Sequence, residues 1–179
     1  RRHRIEHCGF LNAGQRRRMK ARGILPVPQP VFMYEFGDLY VKNLGRERAE
    51  AAYPMRTWVE EGHEPSASSD APVSTVDPFI NLFSMLTRKT NQGTVLGPDE
   101  TLTMEQALHA YTYAGAYSQF AETTRGTLAP GMLADIAVIS ADLFALSPDD
   151  VLTARADLTI RGGAVIFDRH GEVAAAAAQ

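Results

Sequence analysis

Short runs with a strand-like pattern recur in the first 70 residues. His3, Ile5 and His7 alternate with Arg4 and Glu6, which is the two-residue period of a β-strand. Two further runs, one apolar and one of small and polar residues, occupy 24–32 and 64–69. Because proline cannot donate a hydrogen bond to a sheet, the three prolines of the second run restrict its strand to the first residues. The chain from there to residue 38 is predicted to be a loop.

Helix-like segments follow these runs. Asn12 is well placed to cap a helix, and Thr103 with Gln106 three residues later has the form of a capping box. The predicted helices cover residues 13–22, 46–59 with an interruption at Pro54, 77–88, and a segment that begins at 104. His109 lies on the last of them, where a structural role is favoured over a ligand role. The order strand, loop, helix therefore repeats three times, which is typical of a parallel α/β architecture.

From residue 126 onward, short strands follow one another without helices between them. Apolar runs occupy 134–139, 158–161 and 164–167. Gly162 and Gly163 separate the last two, and a type I′ hairpin turn needs a positive φ at both of its central positions. We therefore divide the chain into an α/β unit over residues 1–124 and an antiparallel unit over residues 125–179, which ends in a low-complexity alanine segment.

Composition limits the classes of function. A chain of 179 residues with 45% hydrophobic side chains is long enough for a buried core. The net charge of −3 provides no overall basic field for nucleic acid. The single cysteine, Cys8, cannot form an internal disulfide, which favours a reducing compartment. No apolar run approaches the roughly 20 residues that span a bilayer, so we expect a cytoplasmic protein without membrane contact.

A basic run over residues 16–20 is the local feature that favours nucleic acid, together with the arginines near the start of the chain, Arg1, Arg2 and Arg4. A solvated helix face explains the run more simply, because no aromatic side chains interleave with it to stack on bases. We therefore predict no nucleic-acid partner.

His7 and Asp70 are the candidate chemical residues. His7 ends the first strand-like run, and Asp70 ends the third, just before Pro72. In a parallel α/β barrel, catalytic residues collect at the carboxyl ends of the strands, and imidazole and carboxylate both suit zinc and related divalent metals. Buried histidines and aspartates more often serve structure, so the pair alone leaves both roles open. Gln29 and Phe32, in the predicted loop, are likewise either pocket-lining residues or packed loop residues.

Five motifs occur in a fixed order along the chain, and their combination is more specific than any one of them. They are Arg4-Ile5-Glu6-His7, Gln29-Pro30, Ser69-Asp70-Ala71-Pro72-Val73, the segment 102–112, and Gly126-Thr127-Leu128-Ala129-Pro130-Gly131 followed by 134–136. In this order they resemble the C-terminal part of the amidohydrolase superfamily. The resemblance is to amidohydrolase family 3, the branch similar to YtcJ and N-substituted formamide deformylase, and it extends from residue 3 to residue 167.

The resemblance implies a fold and an activity. The implied fold is a TIM (β/α)8 barrel with a small β-sandwich domain, in which residues 1–124 supply barrel strands six to eight and residues 125–179 supply part of the sandwich. The implied activity is metal-dependent hydrolysis of a non-peptide carbon–nitrogen bond, such as an amide, N-formyl or cyclic amide bond, in a small-molecule substrate. A homodimer is compatible with this resemblance.

The resemblance also assigns roles to residues. His7 matches a metal ligand of the family, and Asp70 matches the catalytic aspartate, which binds metal and shuttles a proton. The Gln29-Pro30 region follows barrel strand seven, and Gln29 and Phe32, in the predicted loop there, are the candidate substrate-binding residues. The implied cofactor is a divalent metal, zinc in the first place, with one or two ions.

The family's other ligands have no counterpart in this sequence. They are a His-x-His pair on strand one, a residue on strand four and a histidine on strand five. We therefore expect the chain to be a fragment that needs the N-terminal part of the same protein and that is inactive alone. The alternative is a non-catalytic scaffold with the same fold. Retention of His7 and Asp70 counts against it, and metal content would distinguish the two.

Overall fold

The computed structural model describes residues 2–173, which form an α/β structure. A two-stranded parallel sheet pairs β1 (Arg4–His7) with β2 (Leu25–Pro28). Helix α1 (Ala13–Ala21) connects the two strands, and the side chain of Asn12 caps it as predicted. The chain therefore opens with a strand–helix–strand unit of the parallel kind.

The third strand-like run is not a regular strand, which corrects that prediction. It lies beside β2, where the N–H groups of Ser66 and Ser68 donate to the carbonyls of Pro26 and Pro28, both at 3.0 Å. The two prolines have no N–H to donate in return, so only half of a parallel ladder can form. We refer to residues 64–70 as the extended segment.

Helix α2 (Val31–Leu44) replaces the loop that was predicted up to residue 38. The proline-rich run ends at Pro30, whose φ of −58° is already helical. Proline is tolerated where a helix begins, because the N–H that it lacks would have no partner there. Phe32, Phe36 and Tyr40 then recur at four-residue spacing and pack into one hydrophobic cluster. The apolar run therefore contains a strand and the start of a helix.

The remaining helices follow the predicted order, with a break at Pro54 and with the predicted capping box at Thr103 and Gln106. They are α3 (Arg46–Glu50), α4 (Met55–Glu60), α5 (Pro78–Thr87), α6 (Met104–Tyr111) and α7 (Tyr113–Ser118), with 3₁₀ turns at Pro98–Glu100 and Pro148–Thr153. Between residues 2 and 173, none of the helices has the length and apolar character needed to cross a membrane.

Three antiparallel strands form a second sheet, in the order β3 (Ile136–Ile139), β4 (Ala156–Arg161) and β5 (Ala164–Asp168). Gly162 and Gly163 form the predicted turn, with φ values of 56° and 85°, so the hairpin prediction is confirmed. The domain boundary at residue 125 stays a prediction. The alanine-rich segment 174–178 lies outside the described residues.

The main hydrophobic core joins the two parts of the chain. Side chains of α5 and α6 pack with Leu143, Val151 and Ala154, which precede β4. Burial of a large apolar side chain of this kind is worth roughly 1.5–3 kcal/mol. The segment before β4 therefore packs on the α/β part and holds α5 and α6 in place behind the extended segment.

Arg88 holds the turn between α3 and α4. Its buried guanidinium donates to the backbone carbonyls of Glu50, Ala52, Tyr53 and Leu96 at 2.8–3.1 Å. Burial lowers the pKa of Arg88 to about 10, so the side chain remains charged at neutral pH. The arginine thereby satisfies carbonyls that the turn would otherwise bury without partners.

Candidate metal centre

His7 and Asp70 both lie where the chain turns away from the sheet. His7 is the last residue of β1, and Asp70 is the last residue of the extended segment. Both have left-handed backbone conformations, with φ values of 67° and 58°. Such conformations cost about 1–3 kcal/mol for residues other than glycine, and they cluster at functional sites. The two strained positions therefore mark this edge of the sheet as a candidate site.

The structure brings the two side chains together. Nδ1 of His7 lies 3.9 Å from Oδ2 of Asp70, and the side chains are 58% and 34% exposed. This separation is too long for a hydrogen bond, so neither group is satisfied by the other. Both side chains can contact a third group that lies between them. Their role as metal ligands stays a prediction.

Gln29 contacts His7 directly. Its Oε1 lies 3.0 Å from Nδ1 of His7, and its Nε2 donates to Oγ of Ser68 at 2.8 Å and to the carbonyl of Val27 at 3.2 Å. Only 2% of Gln29 is exposed. The amide therefore links β1, β2 and the extended segment, and its predicted contact with substrate stays untested.

Phe32 belongs to an aromatic cluster beside this edge. Its ring centroid lies 5.0 Å from that of Phe36 and 6.0 Å from that of Tyr53. Tyr53 in turn stacks on Tyr40 at 6.3 Å, and Phe10 contacts both tyrosines. Phe32 itself is buried, so a contact with substrate would be made through the surface of this cluster, and that role stays a prediction.

Tyr53 was not identified from the sequence as part of the site. Its N–H donates to the carbonyl of Gly9 at 2.8 Å, and a Cβ at position 9 would lie 2.6 Å from Cζ of the Tyr53 ring. Burial, the hydrogen bond with Tyr40 and the charge of Asp70 raise the pKa of Tyr53. The ring therefore packs on the turn that follows His7 and is uncharged at neutral pH.

Cys8 follows His7, and its thiol is protonated at neutral pH. Its thiol is buried and donates to the carbonyl of Ile5 at 3.1 Å. Burial raises the pKa of Cys8 to about 11. Burial and the hydrogen bond to Ile5 make this thiol a packed neighbour of His7.

Another histidine–carboxylate pair lies at the opposite end of the extended segment. Nε2 of His109 donates to Oε1 of Glu64 at 2.5 Å, beside a cavity of about 240 Å³ that His63 and Glu105 also line. His109 therefore already has a carboxylate partner, which favours its predicted structural role.

Three of the basic side chains that favoured nucleic acid are paired with carboxylates. Arg2 pairs with Glu122 and Arg4 with Glu6, both at 2.7 Å, and Arg16 makes a bidentate pair with Glu61 at 2.9 Å. Arg16 accordingly lowers the pKa of Glu61. Arg1 lies outside the described residues, and the absence of a nucleic-acid partner stays a prediction.

The donors at the candidate site fit a divalent metal in kind. An imidazole nitrogen and a carboxylate oxygen are common zinc ligands, and catalytic zinc sites take three protein ligands. Within residues 2–173, no group of three or more histidine, cysteine, aspartate and glutamate side chains could hold a metal ion. The assignment of His7 and Asp70 as metal ligands therefore stays a prediction.

The structure is an α/β protein in which a histidine and an aspartate lie close together where β1 and the extended segment end. The chain belongs to the amidohydrolase family, whose sequence profile matches residues 1–167. The family assignment from the ordered motifs is thereby confirmed.

Two relatives are similar to most of this chain. The chain is 28% identical over 144 residues to YtcJ of Bacillus subtilis, covering 79% of this chain and 27% of that protein. It is 26% identical over 169 residues to N-substituted formamide deformylase of Arthrobacter pascens, covering 94% of this chain and 31% of that protein. The chain therefore spans about three-tenths of the length of these relatives.

A solved structure shows the same fold. A metal-dependent hydrolase of Pyrococcus horikoshii OT3 superimposes with a TM-score of 0.71 at 27% identity, over 82% of this chain and 30% of that one. The α/β architecture described above is thus that of amidohydrolase-fold proteins.

Proposed function

We propose that this chain carries part of the active site of a metal-dependent amidohydrolase that cleaves a non-peptide carbon–nitrogen bond in a small-molecule substrate. The observation that carries the proposal is the convergence of His7 and Asp70, 3.9 Å apart at one edge of the sheet, in a chain of the amidohydrolase family. Metal dependence is supported by the similar hydrolase of Pyrococcus horikoshii. Amide, N-formyl and cyclic amide bonds all suit this chemistry.

The proposal includes a place in the fold. In it, β1, β2 and the extended segment are strands six, seven and eight of a (β/α)8 barrel, and β3 to β5 are part of a β-sandwich over residues 125–179. The site then lies at the carboxyl ends of the barrel strands, where catalytic residues of such barrels collect. The parallel pairing of β1 with β2 and the hydrogen bonds from the extended segment to β2 support this placement.

The residues of the chain have distinct tasks in this proposal. His7 and Asp70 would contribute one nitrogen and one oxygen ligand to a divalent metal, zinc by the donor types and one or two ions by the family resemblance. When bound, the metal would lower the pKa of water from 15.7 to about 7. Asp70 accepts a proton from the attacking water and delivers it to the leaving nitrogen as the carbon–nitrogen bond breaks. Gln29 and Phe32 shape the neighbouring wall, on which the apolar part of a substrate packs.

The experiment is removal and return of metal in the native protein. Hydrolysis of simple N-formyl and N-acyl amines is measured before dialysis against a chelator, after it, and after zinc is added back. We expect activity to disappear and to return. Activity that survives complete metal removal would contradict the proposal, and a metal-loaded protein that hydrolyses none of these substrates would favour the scaffold alternative.

A further inference from the structure

We propose that Gln29 is a positioning residue that holds His7 in the tautomer with its proton on Nδ1, which leaves Nε2 free to bind a divalent metal. The inference rests on the proposed function, because that function makes His7 a metal ligand. In this proposal, Gln29 affects metal binding by orienting His7. A neutral imidazole has two tautomers, and the hydrogen bond made by one ring nitrogen decides which nitrogen can bind metal.

The orientation of the Gln29 amide follows from its partner in β2. One end of the amide lies 3.2 Å from the carbonyl oxygen of Val27. A carbonyl can only accept a hydrogen bond, so this end must be the NH₂ group. The reverse orientation would bury two carbonyl oxygens against each other without a donor between them. The amide oxygen is therefore the atom that faces His7.

The direction of the His7 hydrogen bond follows in turn. The amide oxygen of Gln29 has no proton, so Nδ1 of His7, 3.0 Å away, must be the donor. Asp70 is the competing acceptor, but its Oδ2 lies 3.9 Å from the same nitrogen, beyond hydrogen-bond distance. Nδ1 therefore carries the proton, and Nε2 carries the lone pair.

Burial makes this arrangement rigid. Gln29 is 2% exposed, so water does not compete for its amide. Oγ of Ser68 accepts from Nε2 of Gln29 at 2.8 Å and donates to the carbonyl of Pro28 at 3.3 Å. Each group in this chain of hydrogen bonds has one consistent direction, from His7 through Gln29 and Ser68 to the backbone. Such connected networks hold their members in a single arrangement.

The first test reads the tautomer without any metal. In the metal-free native protein with ¹⁵N-labelled histidine rings, at a pH where imidazole is neutral, the nitrogen chemical shifts show which ring nitrogen of His7 is protonated. The His7 signals are identified by their absence from His7→Ala. We expect protonated Nδ1 and unprotonated Nε2. Protonation on Nε2 in the unsubstituted protein would overturn the proposal, and this measurement needs no variant at position 29.

Two variants distinguish the effect of Gln29 on the His7 tautomer from the effect of Asp70. Gln29→Met keeps the length of the side chain but removes the acceptor, and we expect a mixture of tautomers at His7. Asp70→Asn alters the more distant acceptor, and we expect the Nδ1–H tautomer to persist. The opposite result, in which Asp70→Asn mixes the tautomers and Gln29→Met does not, would assign the orienting role to Asp70 and overturn the proposal.

Metal affinity provides the second readout. Loss of a partner that orients a metal-binding histidine typically weakens metal binding 10- to 100-fold, so we expect Gln29→Met to weaken zinc binding by about that factor. In a His7→Ala background the same substitution should have no further effect, because the two changes act through one interaction. An equal loss in both backgrounds would show a general packing defect and would overturn the proposal. A normal metal content of His7→Ala would instead refute the proposed function. The tautomer measurement is made without metal, so it does not depend on that result.

Discussion

Two histidine–carboxylate pairs lie at opposite ends of the extended segment 64–70, and they differ in how completely each pair satisfies itself. At the amino end, His109 donates directly to Glu64 at 2.5 Å. At the carboxyl end, His7 and Asp70 remain 3.9 Å apart. The first pair has used its closest hydrogen-bonding atoms on each other, whereas the second keeps a ring nitrogen and a carboxylate for another partner. We call the pair of His7 and Asp70 the open pair and the pair of His109 and Glu64 the closed pair.

The backbone separates the two pairs in the same way. His109 lies within the regular helix α6, where its conformation costs nothing. His7 and Asp70 both have positive φ values, and the fold maintains this strain on both sides of one site. Such conformations cluster at functional sites, although Cys8, Tyr53, Arg88 and Phe120 also have positive φ values.

The largest expected effect comes from Asp70→Asn. The amide has nearly the same shape but cannot accept the proton of water and deliver it to the leaving nitrogen. Loss of a general acid–base group typically lowers rate by about 10² to 10⁴, so kcat of the native protein should fall by that factor with little change in Tm. The matched control is Glu64→Gln, which should leave kcat unchanged. Near-normal turnover of Asp70→Asn would remove the catalytic role of Asp70.

A second effect distinguishes His7 from its neighbour Cys8. The pKa of Cys8 is raised to about 11, so the reactive thiolate is scarce at pH 8 and increases as the pH rises towards 11. Relative to an ordinary thiol with a pKa of about 8.5, alkylation of Cys8 by iodoacetamide at pH 8 should be roughly 100-fold slower. Unfolding in urea should restore the ordinary rate. Rapid alkylation of the folded protein would contradict the burial and the raised pKa of Cys8.

A smaller effect concerns the turn between His7 and the aromatic cluster. In Gly9→Ala the new methyl group would lie 2.6 Å from Cζ of Tyr53, so the ring or the turn must move. Overpacking of this kind costs about 1–3 kcal/mol, measured as the free energy of unfolding in urea. Gly115→Ala is the control, because its nearest neighbour, Oγ of Ser66, is 3.9 Å away. Equal stability of the two variants would show that the turn has space for a side chain.

The smallest effect is expected at the closed pair, His109 and Glu64, which are hydrogen-bonded to each other. The side chains of His109 and Glu64 are 51% and 32% exposed, and exposed ion pairs contribute about 0–1 kcal/mol. His109→Ala should therefore lower the free energy of unfolding by no more than that amount and should leave kcat unchanged. A large loss of activity would mean that the site extends to this end of the segment.

Features that depend on neighbouring residues were predictable from the sequence. The helix caps at Asn12 and Thr103 and the turn at Gly162 and Gly163 each depend on a few adjacent side chains, and the structure contains all of them. The start of α2 was missed because Pro30 was interpreted as part of a loop, although proline also opens helices.

Features that depend on distant residues were not predictable. The extended segment is irregular because Pro26 and Pro28, about 40 residues earlier, offer carbonyls but no N–H groups. Gln29 and His7 are 22 positions apart in the sequence, and their contact arises from the pairing of β1 with β2. Sequence patterns predict that His7 and Asp70 end strand-like runs, but the register that brings an orienting amide to His7 exists only in the folded chain.

The most direct test of the comparison is the metal content of two purified variants of the native protein, His7→Ala and His109→Ala. Elemental analysis counts the bound divalent metal per chain without relying on a substrate. If His7 is a metal ligand and His109 is not, His7→Ala loses metal and His109→Ala keeps the full amount. Equal metal content in the two variants, whether both lose it or both keep it, would contradict the assignment of His7 as the ligand.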